Sequence, residues 1–378
     1  NYKNYLKRTG IYHQITLKNQ KAIVIPQLPK TITGYAQAIR EKVNSRLQKL
    51  TFSAIERAMI NALLLGQRQD IRADVYEDYA KAGAIHILAI SGLHIGILLL
   101  ILQFMMKPLL YFKNGKIIRL LIVLCLLWSF AIIAGLSPSV VRAVTMFSLF
   151  AIVRGLKRTS NSLNTLAVSA FILLLFRPGF CFDVGFQLSY AAVASIIIVK
   201  PVLDKWGRLK NKIFNWILDL FKVSIAAQIG VLPLSFYYFH QFPALFFITN
   251  MVVVPSLIVI LGLGIVMLIL IGVYHPPEFL AYTLAWCIQA MNRFVEWVAS
   301  KEAFLFDQIS FDLTALIFSY LILFLLGIFN HKKTFKNLIV LGVCILGFQV
   351  VVQQIPALTT KNSFIVFHKS RHSVLGLQ

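Results

Sequence analysis

The chain has 378 residues, of which 58% are hydrophobic and only 13% are charged, and its formal net charge is +23. A soluble domain is nearer half apolar and a quarter charged, so this composition excludes a soluble globular protein and indicates an integral membrane protein. The four cysteines stand singly without a CxxC pair, which excludes a zinc ribbon and argues against a disulfide framework. Because the chain begins at Asn1 rather than Met, we expect it to be a piece of a longer protein.

The first 83 residues precede any segment apolar enough to cross a membrane. Residues 1–33 contain short alternating and β-branched runs that end at Pro26 and Pro29, and they predict the last strands of a β domain. Residues 34–83 turn helical and amphipathic, with cations on the same helices as leucine and isoleucine. This pattern is typical of helices that lie on a membrane surface or pack over a bundle.

Residues 84–356 contain ten candidate membrane spans, because a bilayer crossing takes about 20 apolar residues. The candidates are 84–106, 117–135, 140–155, 162–177, 182–200, 213–236, 243–272, 278–299, 313–329 and 336–355. The eighth contains the charged residues Arg293 and Glu296, so it is either a membrane span or a helix that lies flat at the interface. The seventh contains Pro255, so it is either one long helix or two half-helices. The predicted fold is an all-α polytopic membrane protein with about ten spans, between eight and twelve.

Charge gives the predicted orientation. Clusters of Lys and Arg follow the first, third, fifth and ninth spans, as at Lys113, Arg154 and Lys205. Such clusters mark the cytoplasmic side, so both termini are expected to be extracytoplasmic. Residues 357–378, which contain a strand-like run, then form an extracytoplasmic β-like tail. The basic segment before the first span also lies outside, which suggests an anionic partner that arrives from there.

The run at 86–96 places two histidines, a serine and two glycines at the head of the first span. Polar groups are expensive in hydrocarbon, so their clustering here indicates function. Read as one helix, His86, Ser91 and His94 share an arc of about 140° that would line a cavity. Alternatively, the Ser91-Gly92 pair breaks the helix.

The same two histidines could suggest a metal site. Because they stand eight residues apart with no carboxylate or cysteine nearby, they make a poor ligand set, and we expect no metal and no cofactor.

A second motif occupies residues 135–143, at the outer end of the third span. Ser137 fits a helix N-cap and Pro138 fits the first helical turn. Together with Ser139 and Arg142, this helix start would form an anion site of the size of a phosphate. The alternative is an ordinary cap that starts a span, with Arg142 paired to a carboxylate.

Four further polar residues lie in the next spans. Asp183 is the natural partner for Arg142 or Arg177 in a structural ion pair, since an unpaired charge at this depth costs several kcal/mol. Gln187, Gln228 and Asn250 place amides in the fifth, sixth and seventh spans. Each alone is as well explained as an interhelical hydrogen bond. Together they predict the lining of a shared hydrated path.

Two other patterns bear on function. The loop at 236–242 is rich in aromatic residues. Channels for single strands stack bases on such rings, whereas membrane proteins commonly use them in an interfacial belt, and both interpretations stay open.

The sequence has no GxSxG, HExxH or GxxxxGK[ST] motif, so we expect no hydrolase and no nucleotide hydrolysis of the P-loop type.

These motifs together resemble the ComEC-type family, the competence proteins that import transforming DNA across the bacterial inner membrane. The family's signature, His-x-Leu-Ala-(Ile/Val)-Ser-Gly-Leu-His-(Ile/Val)-Gly, matches at 86–96. Gly-x-Ser-Pro-Ser-x-x-Arg-Ala matches at 135–143 and Asp-x-Gly-Phe-Gln-Leu-Ser at 183–189. An Ala-Gln…Pro…Phe…Asn…Pro stretch follows at 227–255. Four motifs in this order, spread over roughly 52–330, make the resemblance specific.

The resemblance implies a multi-pass channel of the bacterial inner membrane that passes one DNA strand inward. It identifies residues 1–33 as the C-terminal remnant of an extracytoplasmic domain similar to an oligonucleotide-binding (OB) fold. The implied partners are single-stranded DNA, membrane lipid, an external DNA receptor and a cytoplasmic ATPase or helicase, and self-association stays open. Many members also carry a nuclease domain of metallo-β-lactamase type. Residues 357–378 are too few to form one, so we expect no enzyme here.

In this interpretation the motif residues fall into two groups. The expected lining of the DNA path consists of His86, Ser91, His94, Gln187, Gln228 and Asn250. The expected phosphate contacts are Ser137, Ser139 and Arg142. The alternative function is a small-solute or ion transporter, whose midplane site would use the same broken helices. A module that only docks DNA for another pore is a third possibility.

Overall fold

The computed structural model describes residues 12–13, 31–155, 161–207, 210–273, 276–359, 364–369 and 372–377. The predicted all-α class is confirmed, since these residues form thirteen α-helices and only four short strands. The helices are α1 (Ile32–Leu47), α2 (Ala54–Leu65), α3 (Ala73–Lys81), α4 (Gly92–Met105), α5 (Gly115–Ile133), α6 (Pro138–Gly155), α7 (Ser162–Phe176), α8 (Val184–Leu203), α9 (Lys212–Phe239), α10 (Phe246–Val273), α11 (Glu278–Ala299), α12 (Leu313–His331) and α13 (Phe335–Thr359). The β-domain remnant predicted for 1–33 falls almost wholly outside the described residues.

Seven of the described helices are long and apolar enough to cross a bilayer, namely α5, α6, α8, α9, α10, α12 and α13. The chain is therefore a polytopic membrane protein, but the predicted count of ten spans is not reproduced. The helices α4, with 14 residues, and α7, with 15, are apolar but short. At 1.5 Å per residue, 14 residues cover only about 21 Å of a hydrocarbon core of about 30 Å. The eighth candidate, α11, carries Arg293 and Glu296 and is not among the seven.

The interruption predicted at Pro255 does not occur. The helix α10 is continuous from Phe246 to Val273, so the alternative of two half-helices is wrong. A proline removes one backbone hydrogen bond, and membrane helices tolerate this loss because neighbouring groups satisfy the freed carbonyl.

The chain divides into two compact units. Unit 1 comprises residues 1–80, 84–190 and 252–296, and unit 2 comprises 81–83, 191–251 and 297–378. The core of unit 1 lies where α4, α5 and α6 pack together. Its buried side chains include Ile95, Leu98, Leu99 and Leu102 of α4, Val123, Leu127 and Ala131 of α5, and Val140, Ala143 and Val144 of α6.

The amphipathic helices α2 and α3 pack inside unit 1. A capping box starts α2, in which Ser53 Oγ accepts from Glu56 N–H and the Glu56 carboxylate accepts from Ser53 N–H. Gln289 of α11 donates to the second oxygen of this buried carboxylate. Tyr79 of α3 donates to Asn292 Oδ1 at 2.8 Å, and burial raises the pKa of its hydroxyl above the ordinary value, so it stays protonated. Two polar contacts therefore hold α11 against α2 and α3.

Unit 2 contains the antiparallel strand pair β1 (Phe242–Pro243) and β2 (Leu305–Phe306), and the hairpin β3 (Phe364–Lys369) and β4 (His372–Leu377). Its helices approach closely at Gly230 of α9. A Cβ on this residue would lie 2.4 Å from Ser195 Cβ and 2.5 Å from the Ala191 carbonyl oxygen. Ser195 Oγ donates to the carbonyl of Ala226, one turn earlier on α9, at 2.6 Å. Glycine at 230 is thus required for the contact between α8 and α9.

We predict opposite effects of alanine at two helical glycines. Gly230→Ala forces α8 and α9 apart and is expected to destabilise the fold by about 1–3 kcal/mol. Gly262→Ala is the matched control, because a Cβ there meets no atom within 4 Å and alanine favours the helix. Thermal unfolding of both variants in detergent tests this. Equal melting temperatures would show that the close approach at Gly230 does not constrain the fold.

Candidate functional site

The run at 86–96 forms a turn followed by a new helix. His86 lies in a 3-10 turn (Ile85–Ile87), and Ser91 is the N-cap of α4, which begins at Gly92. The Ser91 N–H donates to His94 Nδ1 at 3.2 Å, and Ser91 Oγ lies 3.1 Å from the same nitrogen. The single-helix alternative is therefore wrong, because this contact satisfies a backbone group at the start of a separate helix.

The two histidines have different surroundings. His86 is exposed, whereas His94 is only 1% exposed. Because His94 Nδ1 accepts from a backbone N–H, the proton of the neutral ring lies on Nε2. This Nε2 is buried and has no hydrogen-bond partner among the residues that the structure describes. His94 thus fixes the start of α4 through one nitrogen and leaves the other unused.

Arg142 and Asp183 meet in unit 1. Arg142, in the second turn of α6, is 7% exposed, and its Nη1 lies 2.9 Å from Asp183 Oδ1. The same oxygen accepts from Phe186 N–H at 2.7 Å, so Asp183 also caps α8. A Cβ on Gly185 would lie 2.7 Å from Arg142 Nη2. The Asp-x-Gly sequence therefore supplies both the counter-charge and the space for the guanidinium.

The helix start before Arg142 lies where the sequence places it. The Ser137 carbonyl accepts from Val141 N–H at 3.0 Å, and the hydroxyls of Ser137 and Ser139 are 3.3 Å apart. Both serines are partly buried. Since Arg142 is already paired with Asp183, it would have to share or leave this pair to bind a phosphate. Phosphate contact at this end of α6 stays a prediction.

The three amides predicted to line a path are divided between the units. Gln187, in unit 1, donates to the Cys181 carbonyl at 2.9 Å and so folds back on the preceding turn. Gln228 of α9 and Asn250 of α10 belong to unit 2, and both are partly buried. Asn250 Oδ1 is buried and accepts no hydrogen bond from the described residues. Within its own unit, each amide lies inside or at the end of an apolar helix.

The sequence analysis missed four buried polar side chains of unit 1, Thr145 and Ser148 on α6 and Thr165 and Ser169 on α7. Together with Arg142 on α6 and the partly buried Tyr190 on α8, they form what we call the polar band. Ser169 Oγ lies 2.9 Å from the Tyr190 hydroxyl and donates to the Leu166 carbonyl. The spacings i, i+3, i+6 on α6 and i, i+4 on α7 are visible in the sequence. They are weak signals, because serine and threonine can bond to their own helix backbone.

The segment 236–242 is not a loop throughout, because residues 236–239 form the last turn of α9. Its rings form a packed cluster in unit 2. The Phe236 ring centroid lies 5.9 Å from that of Phe242 and 5.5 Å from that of Phe311, and Phe242 lies 5.8 Å from Phe246. The contacts are tilted or edge-to-face, as aromatic pairs prefer. These rings stabilise one another beside β1, while Phe239 remains 52% exposed. Base stacking on this loop stays untested.

Comparison with known proteins gives one family and several relatives. The sequence profile of the Competence protein family matches residues 63–333. ComE operon protein 3 of Bacillus subtilis is 31% identical over 291 residues, 75% of this chain and 36% of that protein. Recombination protein 2 of Haemophilus influenzae is 24% identical over 260 residues, 66% of this chain and 32% of that protein. The chain thus spans about a third of the length of these curated relatives. No solved structure matches it.

Two substitutions at Asp183 separate its roles. Asp183→Asn keeps an acceptor for Phe186 N–H but removes the counter-charge of Arg142, whereas Asp183→Ala removes both. We expect both variants to lower the free energy of unfolding, and alanine by about 0.5–2 kcal/mol more than asparagine, the usual value of an N-cap. Chemical denaturation in detergent measures the difference. Identical losses would mean that capping by Asp183 contributes nothing.

Proposed function

Because the chain belongs to the Competence protein family, we propose that it forms the membrane channel through which single-stranded DNA is imported during natural transformation. The observation that carries this proposal is the family match, which extends from α2 to α12 over residues 63–333. The polytopic helical fold is what such a channel requires, since a bilayer-crossing structure must satisfy its backbone internally.

A phosphate backbone crosses hydrocarbon only if polar groups or cations screen it. The polar band, the unused His94 Nε2 and the buried Asn250 Oδ1 provide polar groups at membrane depth. Groups of this kind are costly in lipid and are typical of substrate paths. In the proposed channel the path is lined by His86, Ser91, His94, Gln187, Gln228 and Asn250.

The distribution of charge supports an inward direction of transport. In the proposed topology the protein lies in the inner membrane of a bacterium, and the Lys and Arg clusters of alternate loops are cytoplasmic. The helices α1 to α3, of which α1 is basic, then lie on the outer side. The exposed Lys42 of α1 and Lys49 in the turn after it concentrate the incoming polyanion by releasing counterions from its phosphates. An external receptor would deliver the DNA, and a cytoplasmic ATPase or helicase would supply the energy.

Arg142 is the proposed phosphate contact at the outer mouth, together with Ser137 and Ser139. Its guanidinium can donate to two oxygens of a phosphate as it does to a carboxylate. The start of α6 adds backbone N–H groups and the positive end of a helix dipole. The strand would then be guided by contacts to its backbone, which is the same for every sequence.

The function itself is tested by DNA import. Cells that lack the full-length protein are expected to accumulate no labelled DNA in a form protected from external nuclease, and expression of the protein restores import. Binding of DNA to the cell surface serves as the control, because it precedes translocation. Unchanged import in the deletion strain would refute the proposed function.

A pair of substitutions at His94 tests its place in the path. In His94→Asn the amide oxygen takes the position of Nδ1 and still accepts from Ser91 N–H, so α4 starts normally, but Nε2–H is lost. We expect normal stability. Import should fall about tenfold, because loss of one hydrogen bond costs about 1.4 kcal/mol and this free energy corresponds to a factor of about ten. His94→Gln loses the cap and should lower stability. Transformation frequency and membrane abundance are measured together. Wild-type import by His94→Asn would exclude Nε2 from transport.

A further inference from the structure

Arg40 of α1 is directed towards the interior of unit 1. It shares one face of the helix with Ala36 and Leu47, which are 2% and 1% exposed. Its guanidinium reaches the turn that joins α5 to α6, because a Cβ on Gly135 would lie 2.9 Å from Arg40 Nη1. Gly135 has a φ of 83°, which a residue with a side chain rarely adopts. Arg40 therefore lies against the residues that lead into the start of α6.

The guanidinium of Arg40 has no counter-charge. All 14 Asp and Glu residues of the chain lie within the described ranges, and none of them forms an ion pair with Arg40. Its Nε is buried without an acceptor among the described residues, whereas Nη1 and Nη2 keep accessible surface. Because a partly desolvated cation without an anion is destabilising, folding alone explains this arginine poorly.

The turn between α5 and α6 does not require Arg40 for its own hydrogen bonds. Three carbonyls at the end of α5 accept from backbone N–H groups of the turn, namely those of Phe130, Ala131 and Ile132. The end of α5 is therefore capped by the backbone itself. Arg142, the other arginine near the start of α6, is paired with Asp183 at 2.9 Å. Of these two guanidiniums, Arg40 is the one that can accept an anion without losing a partner.

The groups beside Arg40 match an anion that has several oxygens. The hydroxyls of Ser137 and Ser139, two and four residues after Gly135, lie 3.3 Å apart and can both donate. A phosphodiester carries one negative charge on two free oxygens, and an arginine can donate to both of them. The turn thus combines one unpaired positive charge with two further donors, which is the set of groups that a phosphate needs.

A lipid headgroup carries the same phosphate as a DNA strand. The exposed apolar residues of α1 suit contact with lipid, and they are Ile32, Tyr35 and Ile39. They lie on a different side of the helix from Arg40, which faces the protein with Ala36. A lipid phosphate would therefore meet the other side of α1, and the position of Arg40 favours the strand.

We propose that Arg40 binds a phosphate of the incoming strand at the turn between α5 and α6, with Ser137 and Ser139 as additional donors. The proposal rests on the proposed function and adds to it a residue from outside the membrane-crossing helices. Because Arg40 has no partner to give up, it takes the phosphate without displacing Asp183 from Arg142. The strand is then held by α1 next to the start of α6.

The test measures how the full-length protein in detergent binds labelled oligothymidylate, by fluorescence anisotropy over a series of salt concentrations. Arg40→Gln should weaken binding at least about tenfold, because it removes a hydrogen bond between two charged groups. The slope of log affinity against log salt concentration should fall by about 0.7, the value for one phosphate contact on a single strand. Arg40→Lys keeps the charge and should keep the slope.

Arg154→Gln is the matched control, because it makes the same change at an exposed arginine in the last turn of α6, at the opposite end from the turn. It should alter neither the affinity nor the slope. Arg40→Gln should also unfold at the same or a higher temperature than the wild type, since it removes a cation without a counter-charge. A lower unfolding temperature with an unchanged slope would show that Arg40 is structural and would overturn the proposal.

A second series with phosphatidylglycerol in the micelles separates the two sources of phosphate. The difference in affinity between the wild type and Arg40→Gln should persist there, and its disappearance would assign Arg40 to lipid and overturn the proposal. Equal affinity and slope of these two proteins without lipid would overturn it as well, and would leave the proposed channel intact. Failure of the wild type to bind the strand at any salt concentration would count against both this proposal and the proposed function.

Discussion

The interior of unit 1 depends on one ion pair, between Arg142 and Asp183. An arginine with 7% exposure is destabilising by several kcal/mol unless an anion neutralises it. Asp183 provides that anion from 41 residues further along the chain, and the same oxygen starts α8. Gly185 must then be a glycine, because any Cβ would meet the guanidinium. The helix start at Ser137, the polar band and the start of α8 are therefore all arranged around one buried positive charge.

The two partners of this pair differ in exposure, which bears on transport. The side chain of Arg142 is 8% exposed and that of Asp183 is 41% exposed. Arg142 consequently needs an anion at all times, whereas Asp183 can be solvated when its partner leaves. A phosphodiester carries the same charge and can accept two guanidinium hydrogen bonds. In the proposed channel, a phosphate that contacts Arg142 would have to share this pair or take the place of Asp183, whose carboxylate would keep its bond to Phe186 N–H.

The sequence predicted the features that follow from helix capping or from the need to pair a buried charge. A charge in an apolar span needs a partner, so Asp183 followed from Arg142, and Ser137-Pro138 predicted where α6 begins. It left the break at Ser91-Gly92 open, because a histidine ring is an unusual helix cap and the run is apolar on both sides. It left open an interruption at Pro255 that does not occur, since α10 is continuous through this residue. The polar band depends on which helices pack together, and no local pattern in the sequence predicts that.

Hydrogen-bond satisfaction separates the buried polar residues into two classes. Ser169, Glu56 and Gln187 all have partners within unit 1, and their bonds join one helix to another or a helix to a turn. His94 Nε2 and Asn61 Oδ1 have none within the described chain, although native proteins pair more than about nine in ten such groups. For His94 the fold gains the cap of α4 through Nδ1, and this bond offsets the cost of leaving Nε2 unpaired.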